Sequence, residues 1–176
     1  MIKVILKYIL YMIFFCYMLV VFLPKINLYY LALNKLESYK ISLISQKVND
    51  NYLSLDLEDL SINYDNINVS KVKRVSISTY LYNTSINIKD IKADDMLKNF
   101  IPESIQEVEI FHTVLDPLKI KLKASFKKGR AFGEVDLVNN TIVLNFDVTN
   151  TFMHQYKSIT RQFKKNGKYY TYEYKY

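Results

Sequence analysis

Cysteine is almost missing from this chain: Cys16 is the only one, so no internal disulfide can form. His112 and His154 are the only histidines, too few to complete a zinc site of the usual nitrogen and sulfur ligands. Glycine and proline are scarce, three of each, which argues against long disordered stretches. No glycine-rich phosphate loop, nucleotide fingerprint or metal-ligand spacing occurs, and neither histidine has a serine or cysteine motif near it. Asp56 and Glu58 share a face, but it is the polar face of a strand. His112 alternates with the polar set of VEIFHTV, and His154 stands in a basic helix. The chain therefore reads as non-enzymatic, with no cofactor and no metal.

Apolar residues are plentiful, 50% of 176, enough for one sizeable core and an appendage. The net charge of +7 sits at the two ends. Lys3 and Lys7 mark one, and Lys157, Arg161, Lys164, Lys165, Lys168 and Lys175 against Glu173 mark the other. A basic terminal element is most simply a solvated helix face and, less often, a surface for anionic lipid or an acidic partner.

VILKYILYMIFFCYMLVVFL, Val4 to Leu23, is long enough at 1.5 Å per residue to cross about 30 Å of hydrocarbon. Lys7, its one charge, lies a turn from the start, where its stem can snorkel to the headgroups. A cleaved signal is the rival reading, but no small-x-small site follows, and Phe14 and Phe15 before Cys16 do not resemble a lipoprotein cleavage box. Residues 1–24 are thus expected to be an uncleaved single-pass transmembrane anchor, and 25–176 an extracytoplasmic, periplasmic β-rich domain. By a thin positive-inside margin the amino terminus is cytoplasmic, which in a Gram-negative cell makes the membrane the inner one and the following domain periplasmic. Sequons at Asn68, Asn83 and Asn139 read as chance in an Asn-rich chain.

Pro24 is expected to end the membrane helix, and INLYYLALNKLESYK restarts helical spacing at Ile26, Tyr30, Leu33 and Leu36. From Ile41 the period becomes two. Leu53, Leu55 and Leu57 share a face, Leu60, Ile62 and Tyr64 continue it, and the slip at Glu58-Asp59 is expected to be a bulge. VSISTYL and SINIKDI follow as strands, then ADDMLKNF as a short helix that Asp94 can cap. From Pro117, Leu118, Ile120, Leu122, Ala124 and Phe126 face one way and lysines the other. A loop at Lys127-Lys128-Gly129-Arg130 leads to Phe132 opposite Phe126, and a bulge at Gly133 brings Val135 and Leu137 onto the apolar face. This register pairs Ala124 with Val135, Leu122 with Leu137 and Lys123 with Asp136. A two-residue turn at Asn139-Asn140 then pairs Ile142 with Leu137 and Leu144 with Val135. Leu118, Ile120, Leu122, Ala124, Val135, Leu137, Ile142 and Leu144 form a candidate apolar groove or core face.

After Asn150, Phe152, Tyr156, Ile159 and Phe163 form a helical stripe, with Gly167 as the helix stop. The tyrosine-rich tail alternates cleanly, with Tyr170, Tyr172, Tyr174 and Tyr176 on one face, and is expected to be the last strand rather than a docking tail or a base-stacking platform. No nucleic-acid partner is expected. The fold class is mainly β with short helices: a transmembrane helix followed by a curved, mostly antiparallel β-meander sheet.

The anchor with Pro24 after it, the short helix, LSLDLEDLSINY, the GEVDLVNNTIVLNF hairpin and the closing amphipathic helix with NGKYYTYEY together resemble the type II secretion system protein N (GspN-like) family. That family belongs to the wider AsmA-like group of inner-membrane-anchored periplasmic β-groove proteins. The resemblance covers Leu23 to Tyr176 as patterns of residue classes, and the chain is short for the family. It implies a role accessory to envelope secretion or lipid handling, with the inner membrane, lipid acyl chains and other secretion components as partners. The alternative is an assembly partner in an envelope complex, whose apolar face is an ordinary core covered by its own helices.

Overall fold

The computed structural model describes residues 2–22, 25–97, 102 and 104–176. Helix α1 (Ile2–Val21) is followed by α2 (Lys25–Glu37), a run of eight strands, two short helices and a last hairpin. The strands are β1 (Ile41–Asp50), β2 (Ser54–Tyr64), β3 (Ile67–Thr79), β4 (Asn83–Ala93), β5 (Ser104–Thr113), β6 (Asp116–Phe126), β7 (Gly129–Asp136) and β8 (Thr141–Val148). Then come α3 (Asn150–Gln155), α4 (Lys157–Thr160), β9 (Lys164–Asn166) and β10 (Tyr169–Lys175). The expected break at Pro24, and Lys98 to Phe100 of the expected ADDMLKNF helix, lie outside the described residues. Within them, Asp95–Leu97 forms a single 3-10 turn, and Asp94 accepts from the Met96 N–H at 3.2 Å.

All ten described strands form one open antiparallel sheet in the order β1 to β8, then β10, then β9. Register connects their apolar positions into continuous rows on one face. One row runs Val48, Leu57, Val75, Ile88, Val108, Ala124, Ala131, Phe146, Tyr170. The next runs Leu55, Ile77, Ile86, Ile110, Leu122, Gly133, Leu144, Tyr172. The opposite face carries charge pairs such as Arg74 with Glu58 at 3.3 Å, Lys119 with Glu134 at 3.1 Å and Arg130 with Asp147 at 2.9 Å. Hydrogen bonding to Glu134 raises the Lys119 pKa. A sheet with one wet face gives this clean division.

The slip at Glu58-Asp59 is not a bulge in one strand. The ladder skips a level in four successive pairings, at Gln46, Asp59, Lys73, Asp90 and Gln106. Asp59 and Asp90 take positive φ there, 51° and 54°. Each strand puts two consecutive residues outward at that level, so Leu57 and Leu60, and likewise Val75 and Val72, all return to the same buried face. Because neighbours reverse phase together, their register survives. The result is a crease across the sheet. At one end of the face α2 lays Tyr29 and Leu33 over Leu55, Leu57, Leu60, Val72 and Val75, which form the main buried cluster. Burial raises the Tyr29 phenol pKa, with Tyr30 adding to it.

The β6–β8 hairpins differ from the sequence expectation in register while keeping their faces. The chain turns at Lys127-Lys128 alone, so Phe126 opposes Gly129 and every odd residue of β7 faces the apolar side. Gly133 is therefore not a bulge: it is regularly paired with Leu122 and Leu144. Phe132 lies on the other face, edge-on to Tyr169 at 5.3 Å. Ala124 meets Ala131, Ile120 meets Val135, and Lys123 meets Phe132 rather than Asp136. The β7–β8 loop spans four residues, because the Asp136 carboxylate accepts from the Val138 and Asn139 N–H groups and from the Asn139 amide, each at 2.9 Å. Those bonds, those from Asn139 foremost, hold the Asp136 pKa below the usual carboxylate value. Ile142 then meets Val135 and Leu144 meets Gly133. Gly167 is likewise not a helix stop. It turns the β9–β10 hairpin at φ 58°, and the expected helix has already ended at Thr160.

Candidate functional site

All eight candidate residues share the apolar face. Ile120 with Val135 and Ile142, and Leu122 with Leu144 across Gly133, form its middle rows, and Leu137 N–H bonds to Leu118 O at 2.9 Å to close the upper end. None of the eight is fully buried, and Leu118 and Leu137 are 52% and 42% exposed. β4 and β5 extend the same surface through Ile86, Ile88, Val108 and Ile110. His112 joins it, since it pairs with Ile120, and its Nε2 lies 3.0 Å from Pro117 O. It does not belong to the polar set, because it alternates with Val108 and Ile110, whose partners Ala124 and Leu122 are on the apolar face. The two-residue spacing of Val108, Ile110 and His112 is the signal in the sequence that marks this β5 contribution.

The carboxy-terminal segment covers only one corner. The Thr149 side chain caps α3, which stacks Phe152 on Phe126 at 5.1 Å. Tyr156 then leaves helical geometry at φ −109°, ψ 38°. Thr160 Oγ1 ties the break by donating to Met153 O and Tyr156 O at 3.0 and 3.1 Å, and so the expected single helix is two short ones. Phe163 stacks on Phe146 at 4.5 Å and reaches Tyr172 at 5.8 Å. Beneath this lid an open-sided hollow of about 330 Å³ remains, near the lower end of small-molecule pocket sizes. Ala124 and Ala131 are too small to fill it, and Leu122, Leu144, Phe146 and Ile159 wall it.

Of the candidate residues, Leu122, Ala124 and Leu144 reach the hollow. Leu118, Ile120, Val135, Leu137 and Ile142 continue the open face beyond it. Gly133 is needed for proximity: a Cβ there would strike the Val143 carbonyl and sit 2.9 Å from Leu144 Cα. Asp56 is held by Ser76, Asn51 and Ser54, and Glu58 by Arg74 and Lys47, as expected of a solvated polar face. Among the described residues no group of three or more His, Cys, Asp or Glu side chains is placed to hold a metal ion.

At the other end of the chain, Ile2–Leu19 is a helix long and apolar enough to span a membrane. Lys7 lies one turn inside it, with Nζ 5.6 Å from the Tyr11 ring centroid. Comparison with known families, curated proteins and solved structures finds no match to this chain.

Proposed function

We propose that this chain is a non-enzymatic, single-pass inner-membrane protein whose periplasmic sheet takes lipid acyl chains on its apolar face, in lipid handling or as an accessory to envelope secretion. One observation carries the reading: between the cluster under α2 and the lid of α3 and α4, the apolar row of Ile120, Val135 and Ile142 is only half-buried, and Leu118 and Leu137 beyond it are exposed. An ordinary core buries such rows, whereas a large open apolar patch marks an interaction surface. The short span between α1 and α2 supports a lipid in particular, because it keeps the α2 end of the sheet close to the bilayer that α1 is suited to cross. The resemblance to GspN-like proteins points the same way.

The test is photocrosslinking in intact membranes. A benzophenone amino acid at Leu122 should form adducts with metabolically labelled lipid, and the same group at Lys121, on the opposite face, should not. Protein adducts at Leu122 with no lipid would replace this reading with an assembly partner docked on the face.

A further inference from the structure

The hollow under α3 and α4 adjoins a second depression of about 250 Å³, and the two share Pro102, Phe126, Phe152 and Tyr156. The character of the wall changes across that boundary. Beyond it stand Lys127, Lys128, Ser104 and Gln155. The geometry follows from the turn: Phe126 ends β6 on the apolar side, and the two following lysines form the exposed turn itself. Lys128 Nζ donates to Gln155 Oε1 at 2.6 Å, which holds the ammonium across the rim towards α3. The lid segment also carries His154, Lys157 and Arg161 outside the lining of either depression, and no aspartate or glutamate occurs between Asn150 and Lys168.

An apolar hollow with a basic rim beside it is complementary to an amphiphile with a tail and an anionic head. We infer that the hollow holds a single acyl chain of an anionic membrane lipid, its headgroup bound at Lys127 and Lys128. This rests on the acyl-binding reading and adds the headgroup charge, the orientation and the residues that select it. The tail lies along Ala124 and Ala131 beneath Ile159. A phosphate at the rim would gain hydrogen bonds from ammonium groups, which are the stronger kind. A zwitterionic head would bring its own cation into the same basic field.

Two lysolipids that carry the same diazirine-labelled tail, lysophosphatidic acid and lysophosphatidylcholine, separate the claims when doped into neutral nanodiscs holding the full-length protein. Adducts are mapped to residues 118–146. The anionic probe should label this segment about tenfold more than the zwitterionic one, as one charged hydrogen bond would give, and the excess should shrink with added salt. The double variant Lys127→Glu/Lys128→Glu should abolish the preference and retain zwitterionic labelling, which also shows that the fold persists. Equal labelling of the wild type by both probes would overturn the headgroup inference and leave the acyl reading standing. A preference that survives in the double variant would overturn the role of these lysines. No labelling of 118–146 by either probe would overturn both readings.

Discussion

Gly133 and Gly167 serve for different reasons, and substitution separates them. At Gly133 the conflict is space, since an added methyl meets the Val143 carbonyl and Leu144. Gly133→Ala should cost about 1–3 kcal/mol through forced backbone shifts, a fall of roughly 2–4 °C in melting temperature per kcal/mol for a chain of this size. At Gly167 nothing lies within 4 Å of the added atom, and φ is 58°. Gly167→Asn should therefore be close to neutral, because asparagine tolerates left-handed geometry. Thermal melts of the two variants check this, and equal losses would contradict it. The need for glycine at 133 was legible in the sequence, but its cause was not. A strand glycine signals either a bulge or a close approach, and Phe132, apolar yet on the back face against Tyr169, tipped the reading towards the bulge.

At the scale of elements, faces were readable and partners were not. The alternation of Leu118 to Ala124 sets which side is apolar whatever the register. Register depended on loop lengths that side chains decide, as Asp136 does by gathering three donors and opening the β7–β8 loop to four residues. The carboxy-terminal helix failed in the same way: its stripe continues to Phe163, but the break at Tyr156 is a backbone event. The tail strand formed as the tyrosine alternation required, and β10 pairs with β8 from Tyr170 to Lys175. Deleting Lys168 to Tyr176 removes that ladder, exposes β8 as an edge and leaves Phe163 without Tyr172. The truncated protein should melt at least about 5 °C lower, given several lost aromatic contacts. An unchanged melting temperature would show that β10 docks elsewhere rather than closing the sheet.

For the whole molecule, the apolar face could be derived strand by strand but not as a single surface, because the crease at Gln46, Asp59, Lys73, Asp90 and Gln106 hides its continuity from any one-strand reading. Where that surface lies relative to the bilayer is a question of topology. Lys3 precedes the apolar run and Lys7 lies in its first two turns, and the proposed orientation keeps both at the cytoplasmic side. A phosphatase reporter that requires export, fused after Tyr176, should be active, and a cytoplasm-dependent reporter at the same point silent. The opposite pattern would place the sheet inside and remove the envelope role.

The strand order has a consequence for how the chain comes into being. Each strand from β2 to β8 lies against the one synthesised just before it, so contacts are local and each loop closure costs little entropy. An emerging chain can add strands one at a time, and α2 can close its cluster over β1 to β3 while the later strands are still being made. The exception comes last. β10 takes the place beside β8, and β9, made earlier, is pushed to the outside. Until β10 is made, β8 stays open as the growing edge, and the sheet reaches its observed order only with that strand.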